Sequence, residues 1–241
     1  MSTERRSAVV TGALGKLGPV WCAALAGAGY DVVRLDVRGE DGVIAADVTD
    51  ADALRAVRED VGAPHVLVNN AGIDQPPDPD AAGGGVESIS PDDFLRVLDV
   101  NTRGVFVATQ VFGSAMAEAG RGSIVNIGSL YASVAPEPAF YDHIPGFLKP
   151  PAYGASKAGV VALTRYFARL WGPRGVRVNT LSPGGVLGGQ DEQFLGKFTA
   201  RVPLRRLAED QDLVGPLLFL ASDASRYVTG QELRVDGGFT A

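Results

Sequence analysis

Only one cysteine, Cys22, stands in this chain of 241 residues, so no intrachain disulfide can form. That suits a reducing compartment without proving one. No apolar signal region opens the chain: Met1 to Arg6 is polar and charged and leads straight into a strand pattern. No uninterrupted apolar run is long enough to span a bilayer. The expected setting is the cytoplasm, with no membrane partner. Positive charge is also short, 22 Lys and Arg against 28 Asp and Glu, a formal net charge of −6. An acidic surface argues against nucleic acid as the main partner, because phosphate binding needs a basic face. There are two histidines, no Cys/His spacing that would ligate a metal, and no Gly-x-Ser-x-Gly elbow. What remains is a globular composition, 46% hydrophobic, with 31 glycines, as many tight strand-to-helix turns require. The length fits one α/β domain over residues 1–241.

Short β-branched runs alternate with helical stretches. Strands are predicted at Ala8–Thr11, Asp31–Asp36, Val43–Ala46, His65–Asn69, Ser123–Gly128, Val176–Leu181 and Glu232–Val235. Between them lie helical patterns at Lys16–Ala28, Asp50–Val61, Pro91–Ala119 (capped by Ser90), Ala152–Trp171 and Leu213–Ser222. Cys22 falls in an apolar stretch of the first helix and reads as a small buried hydrophobe. This alternation means a doubly wound parallel sheet of about seven strands with helices on both faces. Asp74 to Ser90 is a Pro-, Asp- and Gly-rich loop, expected to be mobile. Two further loops, 130–151 and 184–205, follow strand ends, where such sheets bind ligands; both are candidate substrate walls.

Gly12, Gly15 and Gly18 recur every third residue directly after the first strand, in Gly12-Ala13-Leu14-Gly15-Lys16-Leu17-Gly18. Side chains there would block a pyrophosphate from the backbone N–H groups at the helix start. Asp36 ends the second strand, where a carboxylate can accept from both adenosine ribose hydroxyls and repel a 2′-phosphate. That favours NAD over NADP, although Lys16 or Arg38 is able to pair with such a phosphate. Tyr153 and Lys157 share one face of a helix. A phenol is a poor base at neutral pH, and a nearby ammonium favours its ionised form. Ser129 ends the fifth strand, where its hydroxyl can stabilise charge on a substrate oxygen. Asn69 and Asn70 either brace the central strand or line the cofactor site. Asn101, inside a helix, holds a water or a kink. Asp47 caps a turn or touches adenine. His65 reads as structural; His143 is a substrate contact or a structural residue.

In sum these residues resemble the short-chain dehydrogenase/reductase family nearly end to end. The motifs are Thr11-Gly12 with the glycine turn, Asp47-Val48, Asn69-Asn70-Ala71-Gly72, Asn101, Ser129, Tyr153-Gly154-Ala155-Ser156-Lys157, Arg177-Val178-Asn179 and Ser182-Pro183-Gly184. The resemblance implies a Rossmann-like fold and hydride transfer between a nicotinamide cofactor and an alcohol or ketone. Tyr153 is then the acid/base, Lys157 lowers its pKa and holds the nicotinamide ribose, Ser129 orients the reacting oxygen, and Asn101 holds a relay water. Gly12, Gly15, Lys16, Leu17, Gly18, Asp36, Asp47, Val48, Asn70, Ala71, Gly72, Pro183, Gly184 and Val186 become the cofactor contacts. A homotetramer, or a homodimer, is implied, paired through the long helices.

Three departures from the family pattern matter. Lys16 stands where the middle glycine is usual. Val186 and Leu187 stand where a threonine often meets the carboxamide, so a Val186 backbone contact has to serve. The stretch from Ser129 to Tyr153 is longer than usual by about one short loop. With Tyr131, Tyr141, Gln190 and Phe194, that longer stretch resembles members of surface-polysaccharide and flagellin-glycan sugar biosynthesis. It implies a sugar-like or cyclic polyol substrate, met by Tyr131, His143, Lys149 and Gln190. The alternatives are an NADPH-dependent ketoreductase of lipid or natural-product synthesis and, remotely, a non-catalytic nucleotide sensor.

Overall fold

The computed structural model describes residues 6–74 and 85–241. Seven strands are seen among them: β1 (Ser7–Thr11), β2 (Asp31–Asp36), β3 (Ile44–Ala45), β4 (Val66–Asn69), β5 (Gly122–Ile127), β6 (Val176–Pro183) and β7 (Glu232–Val235). They pair in parallel throughout, in the order β3-β2-β1-β4-β5-β6-β7. The winding direction reverses between β1 and β4, and that reversal opens a crevice above their C-terminal ends. The helices are α1 (Gly18–Gly27), α2 (Ala51–Val61), α3 (Pro91–Leu98), α4 (Gly104–Glu118), α5 (Pro151–Trp171), α6 (Glu192–Arg201) and α7 (Asp210–Ala221). No described helix is long and apolar enough to cross a membrane.

Strand alternation sorts the core onto two faces. Val9, Leu67, Ile124 and Val178 lie side by side in the register and pack against residues of α2, α4 and α5, among them Leu54, Phe112 and Trp171. Ala8, Val10, Val66, Val68 and Val125 point the other way, onto Trp21 and Leu25 of α1 and Leu213 and Leu217 of α7. Cys22 is buried in that second layer. A third apolar cluster lies outside the sandwich: Leu130, Phe140 and Tyr141 of the long loop pack on Phe194 and Phe198 of α6.

Several boundaries differ from the sequence pattern. The glycine turn occupies residues 12–17, so α1 starts at Gly18 rather than Lys16. The helix expected over Pro91–Ala119 is broken by a π turn at Asp99–Arg103, with Asn101 inside it. The loop after β6 contains α6, whose short apolar pattern of Phe194, Leu195 and Phe198 hid it. Its cap, the Asp191 carboxylate, accepts from the Phe194 N–H at 2.9 Å. The expectation of a loop over Asp74–Ser90 lies, for residues 75–84, outside the described residues; Val86–Ser88 form a short 3-10 turn.

A row of polar side chains crosses the sheet just below the crevice. The Asn69 amide donates to Thr109 Oγ1 at 2.9 Å and to Asn126 Oδ1 at 2.8 Å. Asn126 donates in turn to Thr164 Oγ1 at 2.8 Å, which shares a 2.7 Å hydrogen bond with Thr180 Oγ1. All five residues are essentially inaccessible. In so dry a place each link matters through the cost of leaving its partner unpaired. Thr164→Val keeps the shape and strands both the Asn126 amide and the Thr180 hydroxyl. It should destabilise by about 1–3 kcal/mol, read in urea unfolding as a lower midpoint at unchanged slope.

Candidate active site

The crevice is a cavity of about 860 Å³ running along the C-terminal ends of the strands. At one end the glycine turn closes in on itself. Gly12 has φ +64°, and a Cβ there would lie 2.7 Å from Ala71 Cα. A Cβ on Gly18 would collide with the Gly12 carbonyl, so Gly18 is a packing glycine beneath the turn and does not line the cavity. Gly15 is different: its Cβ would meet only the Gly12 carbonyl, at 3.3 Å, leaving the space beyond it to a ligand. The turn is braced from β4. The Asn70 amide donates to the Thr11 and Gly12 carbonyls at 3.1 and 2.8 Å and accepts from Trp21 Nε1 at 2.8 Å. The Asn70 and Ala71 N–H groups both donate to Thr11 Oγ1 at 3.1 Å. Asn69 therefore braces the sheet, whereas Asn70 does both jobs, since it also lines the cavity.

Asp36 sits at this end, 7% exposed. One carboxylate oxygen accepts from the Leu14 N–H at 3.0 Å, the other from the Arg38 N–H at 3.1 Å. The Arg38 side chain folds back, donating to Asp36 Oδ1 at 3.4 Å and to the Leu14 carbonyl at 3.2 Å. Asp47 accepts from the Thr49 N–H and hydroxyl, both at 2.8 Å, and with Val48 lines the same end. Gly15, Lys16, Leu17, Ala71, Gly72, Pro183, Gly184 and Val186 continue the wall toward the centre. Lys16 Nζ donates to the Val186 carbonyl at 2.9 Å, as does the Gln190 amide. A cradle of small residues at a helix start, with a carboxylate one strand over, fits a nicotinamide dinucleotide. Bound there, that group gives or takes a hydride at its nicotinamide ring.

At the centre, Ser129, Tyr153 and Lys157 come together. The Ser129 hydroxyl stands close enough to the Tyr153 phenol to favour its ionised form. Lys157 Nζ donates to the Ile127 carbonyl at 2.8 Å and lies 5.7 Å from the Tyr153 ring centroid. Burial pulls the Lys157 ammonium down to about 8, against an opposing pull from the Asp74 charge. The phenol is held above its ordinary value, first by burial and then by the negative charge of Asp74; the Ser129 hydroxyl pulls the other way. Burial, rather than the nearby ammonium, dominates the balance of the phenol. Asn101 does not line the cavity. Its amide oxygen accepts from the Ile73 N–H at 2.7 Å, and its NH₂ donates to the Ile73 carbonyl at 2.9 Å and to Ser156 Oγ at 3.1 Å. Its side chain is a clamp between the β4 loop and α5.

The far end lies beyond Tyr153, away from the glycine turn. Tyr131, Lys149 and Gln190 line it. The Tyr131 and Tyr141 hydroxyls meet at 3.4 Å, and burial pushes both phenols up. Gln190 points its amide back into its own loop, to the Val186 carbonyl and the Gly188 N–H. His143 is not a lining residue: its Nε2 lies 2.9 Å from Asp191 Oδ1, tying the long loop to the cap of α6. Lys197 with Asp142, and Arg201 with Glu137, join the same two segments. Sequence reasoning missed Asp74, which lines the cavity and pairs with Lys149 at 2.6 Å. Its place directly after Asn69-Asn70-Ala71-Gly72-Ile73 was the signal available. Among the described residues no group of three or more His, Cys, Asp or Glu is placed to hold a metal.

Comparison with known proteins agrees with this geometry. A family profile described as "Enoyl-(Acyl carrier protein) reductase" matches residues 20–240. A galactitol 2-dehydrogenase (L-tagatose-forming) of Cereibacter sphaeroides is 35% identical, across 97% of this chain and 94% of that protein. The chain belongs to the short-chain dehydrogenase/reductase family. A D-threitol dehydrogenase of Mycolicibacterium smegmatis is 34% identical, covering 98% and 94%. Among solved structures, a short-chain dehydrogenase of Leptospira borgpetersenii with bound NAD+ superposes with a TM-score of 0.87 at 30% identity, covering 99% of this chain and 94% of that one. A gluconate 5-dehydrogenase of Burkholderia cenocepacia, in complex with NADP and tartrate, gives 0.85 at 30% identity, covering 98% and 95%. As a member of the short-chain dehydrogenase/reductase family, this chain is an NAD(P)-dependent oxidoreductase with a small-molecule substrate.

Two outcomes follow from the central trio. Tyr153→Phe removes the only proton-transferring oxygen on that ring and should cut turnover by ~10²–10⁴-fold while NADH binding, read by fluorescence, persists. Alcohol oxidation needs the ionised phenol, so kcat/KM for oxidation should rise with pH through an acid limb. Asp74 raises the Tyr153 pKa; Asp74→Asn removes that charge and should move the limb to lower pH. A limb that stays in place, or moves up, contradicts this electrostatic account.

Proposed function

We infer that this chain is an NAD(H)-dependent dehydrogenase acting on a secondary hydroxyl, or the corresponding ketone, of a small polyhydroxylated compound. The observation that carries the cofactor half is Asp36. It is buried, held by two backbone N–H groups, and stands at the strand end that receives the adenosine ribose. A 2′-phosphate placed there would face a fixed carboxylate. Arg38 beside it is the feature that favours the second reading, an NADPH-dependent ketoreductase, but its guanidinium is occupied by Asp36 and the Leu14 carbonyl.

The substrate half is supported by the polar lining of Tyr131, Tyr141, Lys149 and Asp74 and by the named polyol dehydrogenases among the relatives. None of the relatives reported above is named for surface-glycan or flagellin-glycan synthesis, so the sugar-like substrate is kept without that setting. In this reading Tyr153 takes the hydroxyl proton, Ser129 holds the oxygen, and Lys157 keeps positive charge beside the phenol. The complete trio speaks against a non-catalytic sensor.

The chain is further inferred to assemble as a homotetramer. Leu95, Phe106, Tyr166 and Leu170 are exposed along α3, α4 and α5, and Leu204, Phe219 and Tyr227 are exposed elsewhere. Exposed apolar side chains along α3, α4 and α5 suit a symmetric contact between copies of the chain.

Fluorescence titration should show tighter binding of NADH than of NADPH. Asp36→Asn, which keeps the acceptor oxygen and loses the charge, should shift the ratio toward NADPH by about tenfold, or ~1.4 kcal/mol. Tighter NADPH binding by the unsubstituted protein would favour the ketoreductase. Light scattering on the eluting protein should give four times the 25.1 kDa protomer mass; a monomer would refute the assembly.

A further inference from the structure

Hydride transfer does not need the ion pair built into the wall beyond Tyr153. Lys149 Nζ lies 2.6 Å from Asp74 Oδ2 and 5.3 Å from the centroid of the Tyr153 ring. The lysine comes from the loop before α5 and the aspartate from the segment after β4, so the pair joins two sides of the chamber. The Lys149 side chain is 7% exposed and that of Asp74 39%. The more accessible of the two charges is therefore the negative one.

A site made for a carboxylate substrate needs a cation that is not already neutralised, best an arginine that can hold both oxygens. Among the described residues lining the cavity the one arginine is Arg38, at the Asp36 end. Lys157 is held at the Ile127 carbonyl beside Tyr153 and Lys16 at the Val186 carbonyl beside the glycine turn, so the cation of the wall beyond Tyr153 is Lys149, which is paired with Asp74. Asp191, the other acid lining this half, adds to the negative charge. A hydroxyl group, by contrast, both donates and accepts. Two neighbouring hydroxyls can satisfy the pair at once, one donating to Asp74 and the other accepting from Lys149.

We propose that the Lys149–Asp74 pair is a specificity element that binds adjacent hydroxyls of a neutral polyol and turns away anionic substrates such as aldonates. This rests on the dehydrogenase reading above and narrows its substrate class. It separates the neutral alditols from the sugar acids on the charge of the wall alone.

The test has two readouts. The first is kcat/KM with NAD for galactitol and D-threitol against D-gluconate. The second needs no turnover: the affinity of the enzyme–NADH complex for D-threitol against tartrate, compounds of equal carbon number, followed by nicotinamide fluorescence. The neutral compound should be favoured at least ~10-fold in each. Asp74→Asn keeps the shape and removes the charge; the preference should shrink by ~10-fold or reverse. Lys149→Gln leaves the carboxylate alone and should deepen the bias against tartrate. Thermal unfolding checks both variants, and Lys149→Gln carries the comparison if Asp74→Asn does not fold. Unsubstituted enzyme that favours gluconate or tartrate overturns the proposal, as does a preference in the variants equal to that of the unsubstituted enzyme. Failure to oxidise any polyol, with discrimination against tartrate intact in the binding assay, overturns the polyol-oxidation reading and leaves the role of the pair standing.

Discussion

The site depends on one buried amide that holds the loop after β4 and helix α5 in register. Asn101 is fully inaccessible and sits in a π turn between α3 and α4. Its side chain pairs with both backbone groups of Ile73, much as a neighbouring strand would, and reaches Ser156 on α5. Ile73 lies between Gly72 on the cofactor side and Asp74 on the substrate side. Ser156 Oγ donates to the Tyr153 carbonyl at 2.7 Å. One amide thus fixes the cofactor wall, the charged wall and the helix that carries the phenol. The π turn is the local cost of this arrangement: a regular helix would not aim the side chain so.

The central trio sets two opposing electrostatic demands in a dry place. Burial disfavours both the phenolate of Tyr153 and the ammonium of Lys157. The Ile127 carbonyl keeps the ammonium solvated by protein in place of water. Asp74 intervenes in both balances, raising phenol and ammonium alike. The charge that shapes the substrate chamber is therefore also felt at the proton-transfer step.

Much of this was legible in the sequence because it rests on local patterns. Strand alternation and the glycine spacing at 12, 15 and 18 place the cradle; Tyr153 and Lys157 share a face by helical spacing alone. The remainder is set by tertiary contacts that no local pattern carries. The break at Asp99–Arg103 follows from Ile73, a partner far back in the chain. Helix α6 is fixed by aromatic packing of Phe194 and Phe198 on Phe140 rather than by a long amphipathic stripe. His143 and Lys149 look alike as polar residues in one loop, yet the first is held at Asp191 without lining the cavity itself, and the second lines it and meets Asp74. Only the fold decides which side of the loop faces the chamber.

Lys16 joins two segments that are far apart in the sequence. Its ammonium reaches from the glycine turn across to the Val186 carbonyl, at the start of the segment that carries Gln190 and leads into α6. The two walls that flank a dinucleotide are thereby buttoned to each other by a single exposed hydrogen bond. Such a bond contributes little by itself, because water competes for both of its partners.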